Sequence, residues 1–279
     1  MANNSNILNA LKSEFSTQAY PIYINELGKE VLFRDISALE QKTFSKTIIA
    51  NEERPDLVYS AQLALIQDLC LDKSINVLDL SEFDRIKILL VIYQSNFKTS
   101  SAEVECPMCN TKLNISIDFS KTAENLNKIN LDNIVVVEKA LNDNYEITFT
   151  LNYPSCRRVQ EYREYQRSNG GFNNKTFEAS FEASFSFEMM DLFIKHMKIH
   201  NLTTGNIIEV DPSTMSYSEY MTVLNVIPKD LIYSPDSNIS TTIRDRMFTP
   251  VEEAFETTKC PQCGHTIKGV GSIGSFFTF

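Results

Sequence analysis

Between residues 37 and 94 the apolar positions fall at helical spacing three times over. Ser37 is followed three residues later by Glu40, the pattern in which each side chain caps the other's backbone N–H. Leu39, Phe44, Ile48 and Ile49 then mark an apolar stripe. Pro55 opens a second helix, expected over residues 56–71, with Leu57, Ala61, Ala64, Leu65 and Leu69. Ser81 and Asp84 open a third over residues 82–94, with Phe83, Ile86, Leu89, Leu90 and Tyr93 apolar. Ahead of these, a short helix is expected at about residues 7–15. Residues 20–24 and 31–33 read as companion strands across the turn at 25–28.

Further along the period changes. Residues 112–119 alternate polar and apolar, and residues 134–137 and 145–151 read as a hairpin across Asn142-Asp143-Asn144. With residues 113–119 they are expected to form one small antiparallel sheet. Residues 120–131 are polar and are expected to loop outward. Pro154 leads into a helix over residues 156–167, broken by Ser168-Asn169-Gly170-Gly171. Phe177, Phe181 and Phe185 stand four apart, three rings on one helical face for a core or a partner. Residues 185–197 read as a helix, and His196 and His200 have the i, i+4 spacing of two ligands on one helix face. No Glu-bearing zinc-hydrolase pattern surrounds them, so they are taken as ordinary histidines. Ser216 and Glu219 head another helix to Val226, and residues 236–247 are polar. Three aromatics fall in the last four residues, to fill the chain's own core or a neighbour's.

The cysteines change this picture most. Cys106-Pro107-Met108-Cys109 and Cys260-Pro261-Gln262-Cys263 share one grammar and both sit against strand-type sequence. Zinc prefers four tetrahedral ligands, and one Cys-x-x-Cys turn supplies half of that shell. The two pairs therefore point to one structural zinc per chain held by Cys106, Cys109, Cys260 and Cys263. Between Cys109 and Cys260 lie 150 residues, against about 15–20 in a compact zinc module. The expectation is a split zinc ribbon with a folded segment inserted between its knuckles. A disulfide within each pair is one rival. A thioredoxin-like redox motif is another, but it needs a βαβ setting, and turns and strands follow these pairs instead.

Composition then narrows the function. The chain has 279 residues, 43% hydrophobic and 10% aromatic, enough for a real core. The expected class is α+β, divided into a mainly helical region (1–100), a split zinc ribbon (101–120 plus 255–279) and an inserted mixed α/β region (121–254). With 36 acids against 26 bases the net charge is −10, which opposes phosphate neutralisation and argues against nucleic acid. No apolar run is long enough to span a bilayer, and the first residues lack a signal-peptide pattern. Cys70 reads as a small buried hydrophobe, whereas Cys156 stands beside Arg157 and Arg158, cations that could activate a thiol. Phosphate loops, nucleophile elbows and dinucleotide turns are missing from the sequence, and there are only eight glycines. A four-thiolate shell has no open position, so the expected protein is not an enzyme.

Several of these stretches together carry a resemblance. The segment Val31-Leu32-Phe33-Arg34-Asp35-Ile36, the two knuckles, the block from Tyr145 to Tyr153-Pro154-Ser155 and the terminal Phe276-Phe277 resemble the baseplate family of T-even-type contractile-tailed bacteriophages. That family includes both a hub component and a hub-assembly factor. The resemblance implies a non-enzymatic structural or assembly protein of the baseplate central hub, binding other hub or tail proteins, the tape-measure protein among them. It implies assembly in the host cytoplasm and residence in the virion tail baseplate, and it allows homo-oligomers; the absence of a nucleic-acid partner and of a membrane anchor is the expectation from charge and hydropathy given above. The alternatives are a zinc-ribbon nucleic-acid or transcription-linked adaptor, and a zinc or thiol enzyme.

Overall fold

The computed structural model describes residues 19–51, 54–96, 99–140, 143–168, 187–234, 236–255 and 257–268. The helix expected at 7–15, the phenylalanine stripe at 177–185 and the aromatic tail lie outside them. A hairpin comes first, β1 (Ala19–Ile24) and β2 (Lys29–Arg34), paired antiparallel with Ile22 opposite Val31. Alternation places Ile22, Ile24, Val31 and Phe33 on the buried face. Three helices follow: α1 (Ala38–Ala50), α2 (Pro55–Leu69) and α3 (Glu82–Asn96). The Ser37–Glu40 capping box forms as expected. Only half of the α1 stripe is core: Phe44 and Ile48 are buried, whereas Leu39 and Ile49 are exposed.

Helix α3 brings charge into the interior. Asp84 is fully buried and accepts from the backbone N–H groups of Asn25 (3.0 Å) and Glu26 (3.1 Å) and from the Ser81 hydroxyl (3.0 Å). One turn on, Lys87 donates to Asn25 Oδ1 at 2.6 Å and lies 3.5 Å from Asp84 Oδ1. On another side of α3, Glu82 pairs with Arg85 and accepts from the Tyr59 hydroxyl at 2.7 Å. These contacts fix α3 to the β1–β2 turn and to α2.

The middle of the chain contains β3 (Thr99–Glu105) and β4 (Lys112–Asp118), then α4 (Phe119–Leu126), β5 (Ile134–Ala140) and β6 (Tyr145–Leu151). Two expectations are corrected here. Among the described residues strand β4 pairs only with β3, so it does not join the β5–β6 hairpin; that hairpin belongs to a four-stranded antiparallel sheet ordered β5-β6-β7-β8, with β7 (Ile194–Asn201) and β8 (Ile207–Val210). The expected outward loop at 120–131 is instead largely α4, amphipathic, burying Phe119, Thr122, Ala123 and Leu126 at i, i+3, i+4 and i+7.

A third correction concerns residues 185–197. The described part is a 3₁₀ turn, Phe187–Phe193, running straight into β7. His196 and His200 therefore lie on a strand, opposite Thr150 and Glu146 of β6. Tyrosines surround Asp191 in the turn. Its carboxylate accepts from the Tyr217 hydroxyl (2.9 Å), its carbonyl accepts from the Tyr220 hydroxyl (3.2 Å), and Tyr233 lies near enough to interact electrostatically with the carboxylate. Burial pushes the carboxyl pKa up to about 6, with the Tyr217 hydrogen bond and the Arg158 charge opposing. The folded state then keeps a proton that the unfolded state loses near pH 4, so stability falls as pH rises from about 4 to 6. The penalty at neutral pH is about 3 kcal/mol. Asp191→Asn is expected to flatten that slope in urea unfolding measured at pH 4.5 and pH 7.

Helix α5 (Cys156–Ser168) returns to the N-terminal helices. The junction is tied by Glu82 N–H donating to the Pro154 carbonyl and Cys156 N–H donating to the Leu80 carbonyl, both at 2.8 Å. Then come α6 (Tyr217–Leu224), α7 (Lys229–Tyr233), α8 (Asn238–Ile243), a π turn over Arg244–Phe248, and α9 (Thr249–Ala254). The polar reading of 236–247 is corrected as well: Ile239, Ile243, Met247 and Val251 are buried on this helical run. The last hairpin is β9 (Thr257–Lys259) with β10 (Thr266–Lys268). One continuous apolar core reaches from Ile22 to Phe255. The class is mixed α+β with small antiparallel sheets.

Candidate metal centre

Both cysteine pairs sit at hairpin tips, and both tips fold alike. In the first, Cys106 N–H donates to the Thr111 carbonyl (2.9 Å) and Asn110 N–H donates back to the Cys106 carbonyl (2.8 Å). In the second, Cys260 N–H donates to the His265 carbonyl (2.8 Å) and Gly264 N–H to the Cys260 carbonyl (2.9 Å). Closing so tight a loop needs a left-handed residue straight after the second cysteine. Asn110 has φ 55° and Gly264 φ 73°, and Asn and Gly are the residues that tolerate that region. A Cβ at Gly264 would meet nothing within 4 Å, so only backbone strain opposes a side chain. Gly264→Val is expected to lower stability by about 1–2 kcal/mol, and Gly264→Asn to be nearly neutral because Asn110 already fills the matching position. Thermal unfolding of the two variants side by side checks this.

The rest of the fold brings the tips together. Helix α4 begins where β4 ends, capped by Asp118, and α9 ends just before β9. The two helices pack against each other, and the Asn125 side-chain amide donates to the Ala254 carbonyl at 3.2 Å. The β3–β4 hairpin leads into the N-terminus of α4 and the β9–β10 hairpin follows the C-terminus of α9, so the packing of these two helices ties the hairpins together, although 150 residues of chain run between their cysteines. The Thr111 hydroxyl and the Gln262 side-chain amide are hydrogen-bonded across the two tips.

The four Sγ atoms of Cys106, Cys109, Cys260 and Cys263 lie within 4.8 Å of one another. Cys106 Sγ is 3.6 Å from Cys263 Sγ, and Cys109 Sγ is 3.6 Å from Cys260 Sγ. A metal with ligand bonds of about 2.3 Å to four thiolates in a tetrahedron separates its sulfurs by about 3.8 Å. The donor set therefore fits a thiophilic tetrahedral ion such as zinc. Cys106 and Cys260 are buried, Cys109 is half-buried and Cys263 is exposed. Electrostatics agrees with a need for a cation. The Thr111 hydroxyl, 3.1 Å from Cys109 Sγ, and its backbone N–H hold the Cys109 thiol down to about 6. At Cys263 a backbone hydrogen bond at His265 lowers the pKa, but desolvation and the neighbouring thiols outweigh it and push it up to about 12. Four crowded thiols cannot all ionise unaided; a divalent ion at their centre would remove that penalty.

Among the described residues, no other group of histidines, cysteines and acids is arranged to hold a metal ion. His265 gives its carbonyl to the knuckle, and its side chain is exposed. Cys70 is buried, as expected of a small hydrophobe. Cys156 is buried too, and burial pushes its thiol well above the ordinary range. The two arginines beside it look elsewhere: Arg157 pairs with Asp79 and Arg158 with Glu161. A reactive thiol is not built there. Sequence reasoning missed Asn110, Thr111 and Gln262, which shape the tips and link them. The signal for Asn110 was present in its alignment with Gly264, each one residue past a Cys-Pro-x-Cys.

No curated protein and no solved structure matches this chain. The family described as T4 bacteriophage base plate protein matches over residues 19–278, a span that takes in both knuckles and everything between them. The chain belongs to that baseplate family.

Proposed function

We propose that this baseplate protein is a non-enzymatic component or assembly factor of the central hub of a contractile tail, stapled by one structural zinc. A structural role in the tail baseplate follows from the family, whose match covers the chain from its first described strand to residue 278. The observation that supports the zinc staple is the four-cysteine cluster, whereas the hub assignment rests on the sequence resemblance. The cluster joins the two ends of a long excursion and leaves no ligand position open for chemistry. A protein that must keep its shape under mechanical load gains from such a closure. In this reading residues 1–100, the ribbon of 101–120 with 255–279, and the insertion 121–254 are three regions of one fold. Other hub proteins or the tape-measure protein are the partners, met in the host cytoplasm during assembly and kept in the virion.

The direct test has two parts. Metal analysis of the native protein is expected to find one zinc per chain with four thiols protected until chelator is added. A coloured iron centre would keep the staple but change its metal, and no metal would remove it. Separately, size-exclusion of the protein mixed with purified hub and tape-measure proteins of the same phage is expected to give a stable complex. If none forms, and DNA or RNA binds with a steep salt dependence instead, the adaptor reading replaces this one.

A further inference from the structure

The two close sulfur pairs, Cys106–Cys263 and Cys109–Cys260, each run from one knuckle to the other. We propose that the cluster is a convertible staple: when the metal is withdrawn under oxidising conditions, disulfides form across the knuckles and keep the same two hairpins joined. The proposal rests on the baseplate reading for its use, since a tail protein is built in a reducing cell and then works outside it, where thiols oxidise. Its chemistry rests on geometry alone.

At 3.6 Å each cross-knuckle pair is already in contact but well beyond a bond of about 2.05 Å, so closing it asks for about 1.5 Å of movement. The hairpin tips themselves need not open. The hydrogen bonds that shape each tip run between backbone groups, Cys106 to Thr111 and Cys260 to His265, and survive a change at the sulfurs. The Thr111–Gln262 bond and the packing of α4 on α9 hold the tips in register from outside the cluster. The cross-knuckle bridges also restrain the chain far more. They link residues 157 and 151 positions apart, whereas a bridge inside either pair closes a loop of four residues.

The redox step balances with a small-molecule disulfide as oxidant. One cysteine thiolate attacks oxidised glutathione, forming a mixed disulfide and expelling one glutathione thiolate. The facing thiolate then attacks the protein sulfur of that mixed disulfide and expels the second. Each bridge so formed takes two electrons from two cysteines and leaves two molecules of glutathione.

The test uses the full-length native protein, with its metal content measured first so that failure of the metal reading is seen on its own. Oxidised glutathione is added with a chelator present, and the product is digested with trypsin without reduction. Cleavage after Lys98, Lys112, Lys259 and Lys268 places Cys106 and Cys109 in one peptide and Cys260 and Cys263 in another. The expected product is a single linked species containing both peptides, with Cys70 and Cys156 still thiols. Two separate peptides, each oxidised within itself, would overturn the proposal, as would four free thiols or glutathione adducts. Cys109→Ser/Cys260→Ser retains the pair Cys106 and Cys263 and is expected to cross-link at least tenfold faster than Cys109→Ser/Cys263→Ser, which retains Cys106 and Cys260. Equal rates would show that proximity in the fold does not direct the pairing.

Discussion

Replacing Cys260 by serine is expected to abolish metal binding and to lower the unfolding free energy by about 3–5 kcal/mol, and replacing Cys106 is expected to do the same. In isolated peptides a structural zinc contributes on the order of 10 kcal/mol or more of folding free energy. Here much of the fold has a core of its own, with Phe33, Ile66, Leu69, Phe149 and Phe193 fully buried far from the knuckles in sequence. Loss of the ion therefore removes only part of that contribution. The damage is expected to concentrate where the staple acts: β3–β4, β9–β10 and the contact between α4 and α9. Cys106 and Cys260 are the buried members of the cluster, so a serine there also leaves a hydroxyl facing three thiols without a metal to share. Metal analysis, thermal unfolding and amide exchange on the two variants decide the matter. Equal metal loss from both, with fast exchange in both hairpins, is the signature of one shared site. If the Cys106 variant loses the ion and the Cys260 variant keeps it, the pairs do not act together.

What could be read before the structure was mostly local. The capping box at Ser37, the proline at the start of α2 and the helical spacing through α3 depend on residues within one or two turns, and each appears where expected. The readings that failed depended on something distant or masked. Strand β7 looked helical because its buried residues, Ile194 and Met197, are three apart. A register shift at Thr150/Leu151 accounts for the broken alternation, and pairing with β6 and β8 makes it a strand. In α4 the helical period was present but carried by Thr122 and Ala123, which hardly register as apolar. In residues 238–254 the buried Ile239, Ile243, Met247 and Val251 stand four apart, but Ser240, Thr241, Arg244, Asp245 and Arg246 fall between them, and one apolar position per turn read as a polar stretch. The four cysteines were legible because their grammar repeats. Their meeting was an inference from ligand count, and the α4–α9 packing that brings it about could not be seen in either stretch alone.

The second large effect is expected at Asp84, where Asp84→Ala should cost about 3–5 kcal/mol although it is no part of the four-cysteine cluster. Breaking a buried ion pair by deleting one partner is costly because the other charge is left without compensation. Asp84 and Lys87 are both almost completely buried, so neither can turn to water. Alanine also strands the Asn25 and Glu26 N–H groups that Asp84 accepts, at the turn of the first hairpin. It removes the partner of the Ser81 hydroxyl at the start of α3 too. Urea unfolding measures the loss. Lys87→Met alone should cost similarly by leaving the carboxylate with only neutral donors, whereas Asp84→Asn/Lys87→Met should cost less than Asp84→Asn and Lys87→Met added together. That coupling separates a charge effect from simple loss of packing. A pH series adds a signed check. Burial already lowers the Lys87 pKa, with Asp84 opposing. In Asp84→Asn that opposition is gone, so the lysine pKa in the folded state falls further below its unfolded value. Stability of this variant is then expected to rise with pH as the folded ammonium deprotonates first, a trend steeper than in the parent protein. A flat profile in Asp84→Asn, or strict additivity of the two single changes, would mean that the pair contributes by shape rather than by charge.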